Sequence, residues 1–139
     1  MNKRDLQIIE LLLKNARMPK VQIAQRLGLT ETAIRKRIKK LEEKGIILGY
    51  RAIIDFRKLH MIQSFTGIDV DPEHLIEVIT KLREMKCVIS LYLTTGDHNI
   101  VAEIICKDMK ELEELHEQIS KVKGVRRICP AIVTEIIKT

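Results

Sequence analysis

Aromatic side chains are nearly absent from this sequence: two Phe, two Tyr and no Trp, 3% of 139 residues. Stacking of bases on aromatic rings, the usual grip on single-stranded RNA, therefore has few residues to use. Long apolar runs are missing as well, and none approaches the roughly 20 residues a membrane span needs. A secretory leader is not expected, because Lys3 and Arg4 precede a segment broken by Asp5, Gln7 and Glu10. The chain is expected to be soluble and cytoplasmic. Cysteine is scarce and odd in number: Cys87, Cys106 and Cys129 are widely spaced, each among apolar neighbours. That pattern predicts reduced thiols packed as small hydrophobes, with no paired ligand spacing to suggest a metal or other cofactor. The four histidines are scattered. No nucleophile–base set, paired acids or glycine-rich phosphate loop stands out, so an enzyme is not expected.

What is present is charge, unevenly placed. Residues 1–60 carry 15 Lys and Arg against 6 Asp and Glu, a net +9, whereas residues 61–139 carry 10 against 13, a net −3. A basic N-terminal half points to a polyanion partner there. Residues 21–41, VQIAQRLGLTETAIRKRIKKL, predict two short helices joined by a tight turn. Val21, Ile23, Ala24 and Leu27 give the first its apolar positions, and Gly28 suits a helix stop with positive φ. Thr30 is placed to cap the second helix. Ile34, Ile38 and Leu41 recur at i, i+4 and i+7 and share its inner face. Thr32, Arg35, Lys36 and Lys39 fall mostly on the other side, with Arg37 and Lys40 extending the positive charge. A helix with an apolar back and a cationic front suits the major groove of double-stranded DNA. Arg35 has the planar fork that can address guanine O6 and N7, whereas Lys36 and Lys39 suit phosphates.

The flanking elements follow from local signals. Residues 2–14 predict a first helix, capped by Asn2, with Leu6, Ile9, Leu12 and Leu13 as its buried stripe. Residues 46–48 and 50–54 turn β-branched on either side of Gly49 and predict a two-stranded wing, from which Arg51 could reach a phosphate. Residues 56–62 read as a connector, giving domains at 1–60 and 61–139. Residues 64–70 then predict a strand. Asp71-Pro72 starts a helix with Leu75, Ile76, Val78, Ile79 and Leu82 on its apolar side. Residues 88–95 and 100–106 form a hairpin around Gly96-Asp97-His98-Asn99. Asp108 and Glu111 match a capping box ahead of a helix with Met109, Leu112, Leu115 and Ile119. Residues 125–137 are extended, with Pro130 at a bulge or edge. The class is α+β: a winged helix-turn-helix followed by a ferredoxin-like βαββαβ arrangement.

This order, together with LQIIELL (6–12), IAQRLGLTETAIRKRIKKLEEKGII (23–47), GYRAIID (49–55), TGDHNIV (95–101) and VKGV (122–125), resembles the Lrp/AsnC, or feast/famine, transcription regulators. The resemblance implies an N-terminal domain that binds double-stranded DNA, with Thr32 facing the groove. It implies a C-terminal RAM domain that builds dimers and larger, often octameric, homo-oligomers. It also implies a small-molecule effector, commonly an amino acid, near the hairpin at Gly96, Asp97, His98 and Asn99. The family hairpin usually reads G-D-x-D, whereas this chain has Asn99 in place of the second acid. An amide keeps a hydrogen-bond acceptor but lacks the charge that would pair with a ligand ammonium. A different effector, or none, fits that substitution. Two other readings stay open: an architectural protein that coats DNA with little sequence choice, and a module whose main task is ligand-driven assembly.

Overall fold

The computed structural model describes all residues, 1–139. They form two compact units, Met1–Ile53 and Ile54–Thr139.

The first unit holds three helices, α1 (Lys3–Lys14), α2 (Lys20–Leu27) and α3 (Glu31–Glu43). Asn2 caps α1 through its side-chain oxygen, and Thr30 caps α3 by accepting from the Ala33 N–H. Gly28 closes α2 at φ 65°, a conformation that a side chain would strain. The core is Ile8, Ile23, Ala24, Leu27, Ile34, Ile38 and Leu41. The α3 spacing thus selects the buried face as expected. The α1 stripe differs: Ile8 is fully buried, while Leu6 is 48% and Leu13 81% exposed. Apolar residues at 6, 8, 9, 11, 12 and 13 wrap around α1, so periodicity alone does not choose its inner side. Val21 also lies outside the core, half exposed.

The expected wing does not form as a strand pair. Residues 46–55 carry no ladder. The N–H groups of Ile46 and Ile47 both donate to the Leu41 carbonyl, at 3.0 and 3.1 Å. The end of α3 thereby takes the donors that a first wing strand would have offered. Tyr50 turns back to Glu42, its hydroxyl donating over 3.2 Å.

The second unit is a four-stranded antiparallel sheet backed by two helices. Its elements are β1 (Ile62–Val70), α4 (Leu75–Glu84), β2 (Val88–Leu93), β3 (Ile100–Cys106), α5 (Met109–Ser120) and β4 (Val125–Ile132). The order β2-β3-β1-β4 leaves β2 and β4 at the edges. Pro130 is therefore tolerated as an edge residue; the one register shift of that pairing lies at Asp69/Val70, opposite Val125. Short 3-10 turns span Phe56–Leu59 and Pro72–His74. Asp71 makes no side-chain cap bond, and α4 starts only at Leu75.

Alternation along the strands sorts the two sheet faces. Ile68, Val70, Ile100, Ala102, Ile104 and Cys106 join Val78, Leu82, Leu112, Leu115 and Ile119 in one core. Ile76, expected on the apolar side of α4, is 80% exposed. Ser64 and Thr66 are fully buried on the inner face and need partners there. The two hydroxyls bond each other at 2.8 Å, and Thr66 meets His116 Nε2 of α5 at 2.9 Å. Burial pushes the His116 pKa down, so the imidazole favours its neutral form in this network.

Candidate DNA-binding and effector surfaces

On α3 the apolar back is buried while Thr32, Arg35, Lys36 and Lys39 are exposed. These four side chains share the outer half of one helix, as the spacing predicts. Their local bonds differ. Arg35 reaches back one turn to Glu31, with Nη2 and Nε at 2.5 and 3.1 Å from the same carboxylate oxygen. Glu31 lies in the first turn of α3, where the helix dipole favours an acid, and it also holds the guanidinium of Arg35. Exposed pairs of this kind are worth only about 0.3–0.5 kcal/mol, so guanine or phosphate can displace Glu31. Lys39 stands 3.9 Å from Glu43 and is 77% exposed.

Arg37 does not extend the cationic front. Its guanidinium donates to Asp5 at 3.0 Å and ties α3 to α1. Arg4 likewise donates to the Leu27 carbonyl at 2.5 Å, closing the C-terminal end of α2. Part of the basic charge counted in the sequence is thus structural. Arg51 is exposed, on the irregular segment after α3 rather than on a wing strand.

The hairpin between β2 and β3 is more than a turn. Thr94 closes it, its N–H donating to the Asn99 carbonyl at 3.0 Å and its hydroxyl to the His98 carbonyl at 2.8 Å. Gly96 supplies the positive φ of 97° that the turn requires. The His98 ring folds back over β1, and its Nδ1–H donates to Asp69 at 2.6 Å. Only glycine at position 67 permits this, because a Cβ there would stand 2.3 Å from the ring. Arg127 of β4 donates to the other Asp69 oxygen at 2.8 Å. The His98 hydrogen bond foremost, and then Arg127, hold the Asp69 carboxyl below its ordinary value against the opposing effect of burial. Arg126 pairs with Asp71 close by.

Asn99 points away from the turn, into the backbone of β1. Its oxygen accepts from the Val70 N–H at 2.9 Å, and its amide donates to the Val70 carbonyl at 2.7 Å. Both bonds fall where the β1–β4 register shifts, at Asp69/Val70. Gly96 and Asp97 are exposed at the tip, and His98 and Asn99 are half-buried.

The chain matches known proteins along its whole length. Residues 1–47 fit the winged helix-turn-helix DNA-binding family, and residues 63–139 fit the Lrp/AsnC ligand-binding domain. It is 47% identical over 139 residues to the transcriptional regulator LrpA of Pyrococcus horikoshii, covering 99% of each chain. It is 35% identical over 140 residues to the regulator Ptr1 of Methanocaldococcus jannaschii, covering 99% of this chain and 95% of that one. Among solved structures, a protein designated PH0061 superposes with a TM-score of 0.88 at 26% identity, over all of this chain and 96% of the other. The chain belongs to the Lrp/AsnC family.

As an Lrp/AsnC protein it is a DNA-binding transcription regulator with a C-terminal ligand-binding domain, and not an enzyme. The hairpin residues named from the sequence come together in one corner of that domain. Sequence reasoning did not reach Asp69, Arg126 and Arg127. Their signal is a cross-strand one, since Asp69 and Arg127 are direct partners in the β1–β4 register, and that register is not readable without the sheet.

Asn99 acts as a backbone surrogate, which requires both a donor and an acceptor. Asn99→Ala is expected to leave the Val70 amide and carbonyl unpaired and to cost about 1–3 kcal/mol. Asn99→Asp keeps only the acceptor and is expected to fall between the two. Urea unfolding midpoints in the order wild type, Asp, Ala would establish this; equal midpoints would refute it.

Proposed function

We propose that this regulator recognises a specific operator by laying α3 in the major groove. Thr32 and Arg35 then face base edges, and Lys36, Lys39 and Arg51 neutralise phosphates. The first unit, Met1–Ile53, is the reading domain and the second, Ile54–Thr139, the assembly and effector domain, so the boundary falls a few residues before the one expected at residue 60. The observation that carries this reading is α3 itself: Ile34, Ile38 and Leu41 are held in the core while Arg35, Lys36 and Lys39 stand in solvent.

A homodimer supplies the second reading head. The face of the sheet away from α4 and α5 leaves Phe65 43% and Tyr92 59% exposed, and a second copy would bury that apolar surface. Two heads then engage successive major grooves on one side of the duplex, roughly 34–36 Å apart, on a pseudo-palindromic site. Footprinting of DNA upstream of the protein's own gene should show two protected half-sites at that spacing. An isolated half-site protected as strongly as the full site would rule out the dimer. A ratio of specific to non-specific affinity near one would select the architectural reading instead.

A small effector fits the corner at Gly96, Asp97, His98 and Asn99. Asp69, Asp97, Arg126 and Arg127 bring both signs of charge to it, which suits a ligand that itself carries both, such as an amino acid. Asn99 serves there as scaffold, so a ligand ammonium must find its partner among the acids. Calorimetry with pooled amino acids, followed by single compounds, tests this.

A further inference from the structure

At the far end of β3, the fold brings together three residues, the outermost of which stand 24 positions apart in the sequence. Cys106 ends β3, Cys87 directly precedes β2, and Glu111 lies in the first turn of α5. The Ile105 N–H donates to the Cys87 carbonyl at 2.9 Å, which fixes the two strand ends side by side. The two sulfurs and a Glu111 carboxylate oxygen all lie within 4.8 Å of one another. Cys87 already donates its S–H to Glu111 at 3.2 Å.

We propose that Cys87, Cys106 and Glu111 form a binding site for a thiophilic divalent cation of the zinc class. Donors around tetrahedral zinc, with bonds of about 2.0–2.3 Å, stand roughly 3.4–3.8 Å apart, so the Cys87–Glu111 edge is already short enough and no edge need close by more than about 1 Å. The backbone is already in place, because two antiparallel strand ends and a capped helix hold it. Asp108 caps α5 by accepting from the Glu111 N–H at 2.8 Å, and Glu111 Oε1 accepts from the Lys107 N–H at 3.2 Å. These bonds orient the carboxylate toward the sulfurs.

Cys106 is fully buried, while Cys87 and Glu111 line an open cleft together with Met85, Glu114 and Glu117. The cation enters from that cleft, which Lys86 and Lys121 line alongside the acids, and keeps its fourth position there for water. Two thiolates and one carboxylate set three negative charges against the cation's two. Binding converts two thiols to thiolates and releases their two protons to solvent. Burial pushes the Cys87 thiol up, and burial together with Cys87 pushes Cys106 up to about 12. Apparent affinity therefore rises with pH.

The test titrates the reduced full chain with Co2+ and then Zn2+. Expected are one Co2+ per chain, an intense thiolate-to-cobalt absorption, its bleaching by Zn2+, and two protons released per metal. Cys87→Ser should weaken binding at least a hundredfold and Glu111→Gln about tenfold, while Cys129→Ser changes nothing. Cys87 is only half-buried, so its variant is the one to use should Cys106→Ser fail to fold. Absence of the thiolate band, or its survival in Cys87→Ser, overturns the proposal.

Discussion

Replacing Phe65 with glutamate is expected to leave the chain folded but monomeric, and to weaken operator binding about a hundredfold or more. Phe65 stands on the open sheet face, 43% exposed, directly opposite Glu103 on β3 and Ala131 on β4. A carboxylate at the centre of the proposed dimer interface must be desolvated without a partner, which costs far more than the lost apolar contact. Glu103 is already satisfied by Gln63 at 2.8 Å and Ser90 at 3.0 Å, so the new acid gains no bond from it. Two reading heads joined in one molecule gain 10²–10⁴ in avidity over one, roughly the loss expected when the link is cut. Sedimentation and binding to a full operator should change together. Tyr92→Glu, on the same face across Val101, should do the same. A Phe65→Glu protein that stays dimeric would show that assembly uses another surface.

On α3 the expected outcome is a split between two kinds of cation. Arg35→Ala should cost about 1–3 kcal/mol on the cognate site, roughly 5- to 150-fold, and little on random DNA, because a bidentate arginine reads guanine. The salt bridge to Glu31 limits nothing here, since both side chains are exposed and the pair is weak. Lys39→Ala should weaken all sequences alike and flatten the salt dependence by about one unit of slope. Affinities measured on cognate and scrambled duplexes across a salt series separate the two. If Arg35→Ala lowers both equally, Arg35 is a phosphate contact and base reading lies elsewhere on the helix.

A basic half and a mildly acidic half, read from composition, correspond to two compact units of different build. Local rules proved sufficient where one face of an element is unambiguous. Thr30, Ile34, Ile38 and Leu41 announce a capped helix and its buried side, and the structure has both. The capping box at Asp108 holds through the Asp108 bond to the Glu111 N–H, while the Glu111 side chain turns to the Lys107 N–H and to Cys87. Local rules failed where several outcomes fit the same residues. The apolar residues of α1 surround that helix, and only packing against α2 and α3 selected Ile8. The β-branched run after Lys44 reads as a wing, yet its first two N–H groups are captured by the Leu41 carbonyl.

By itself the sequence determined the order of elements, the cationic exterior of α3, the hairpin at Gly96 and the family these imply, because each depends on residues within a few positions of one another. The sheet decided the rest. Register set Asp69 beside Arg127, and Gly67 beneath the His98 ring. It gave the Asn99 amide the Val70 N–H and carbonyl as partners. It also carried Cys87 to Cys106 across two strand ends. Spacing along the chain cannot foretell such meetings, since strand pairing depends on how whole faces are buried and not on any local preference.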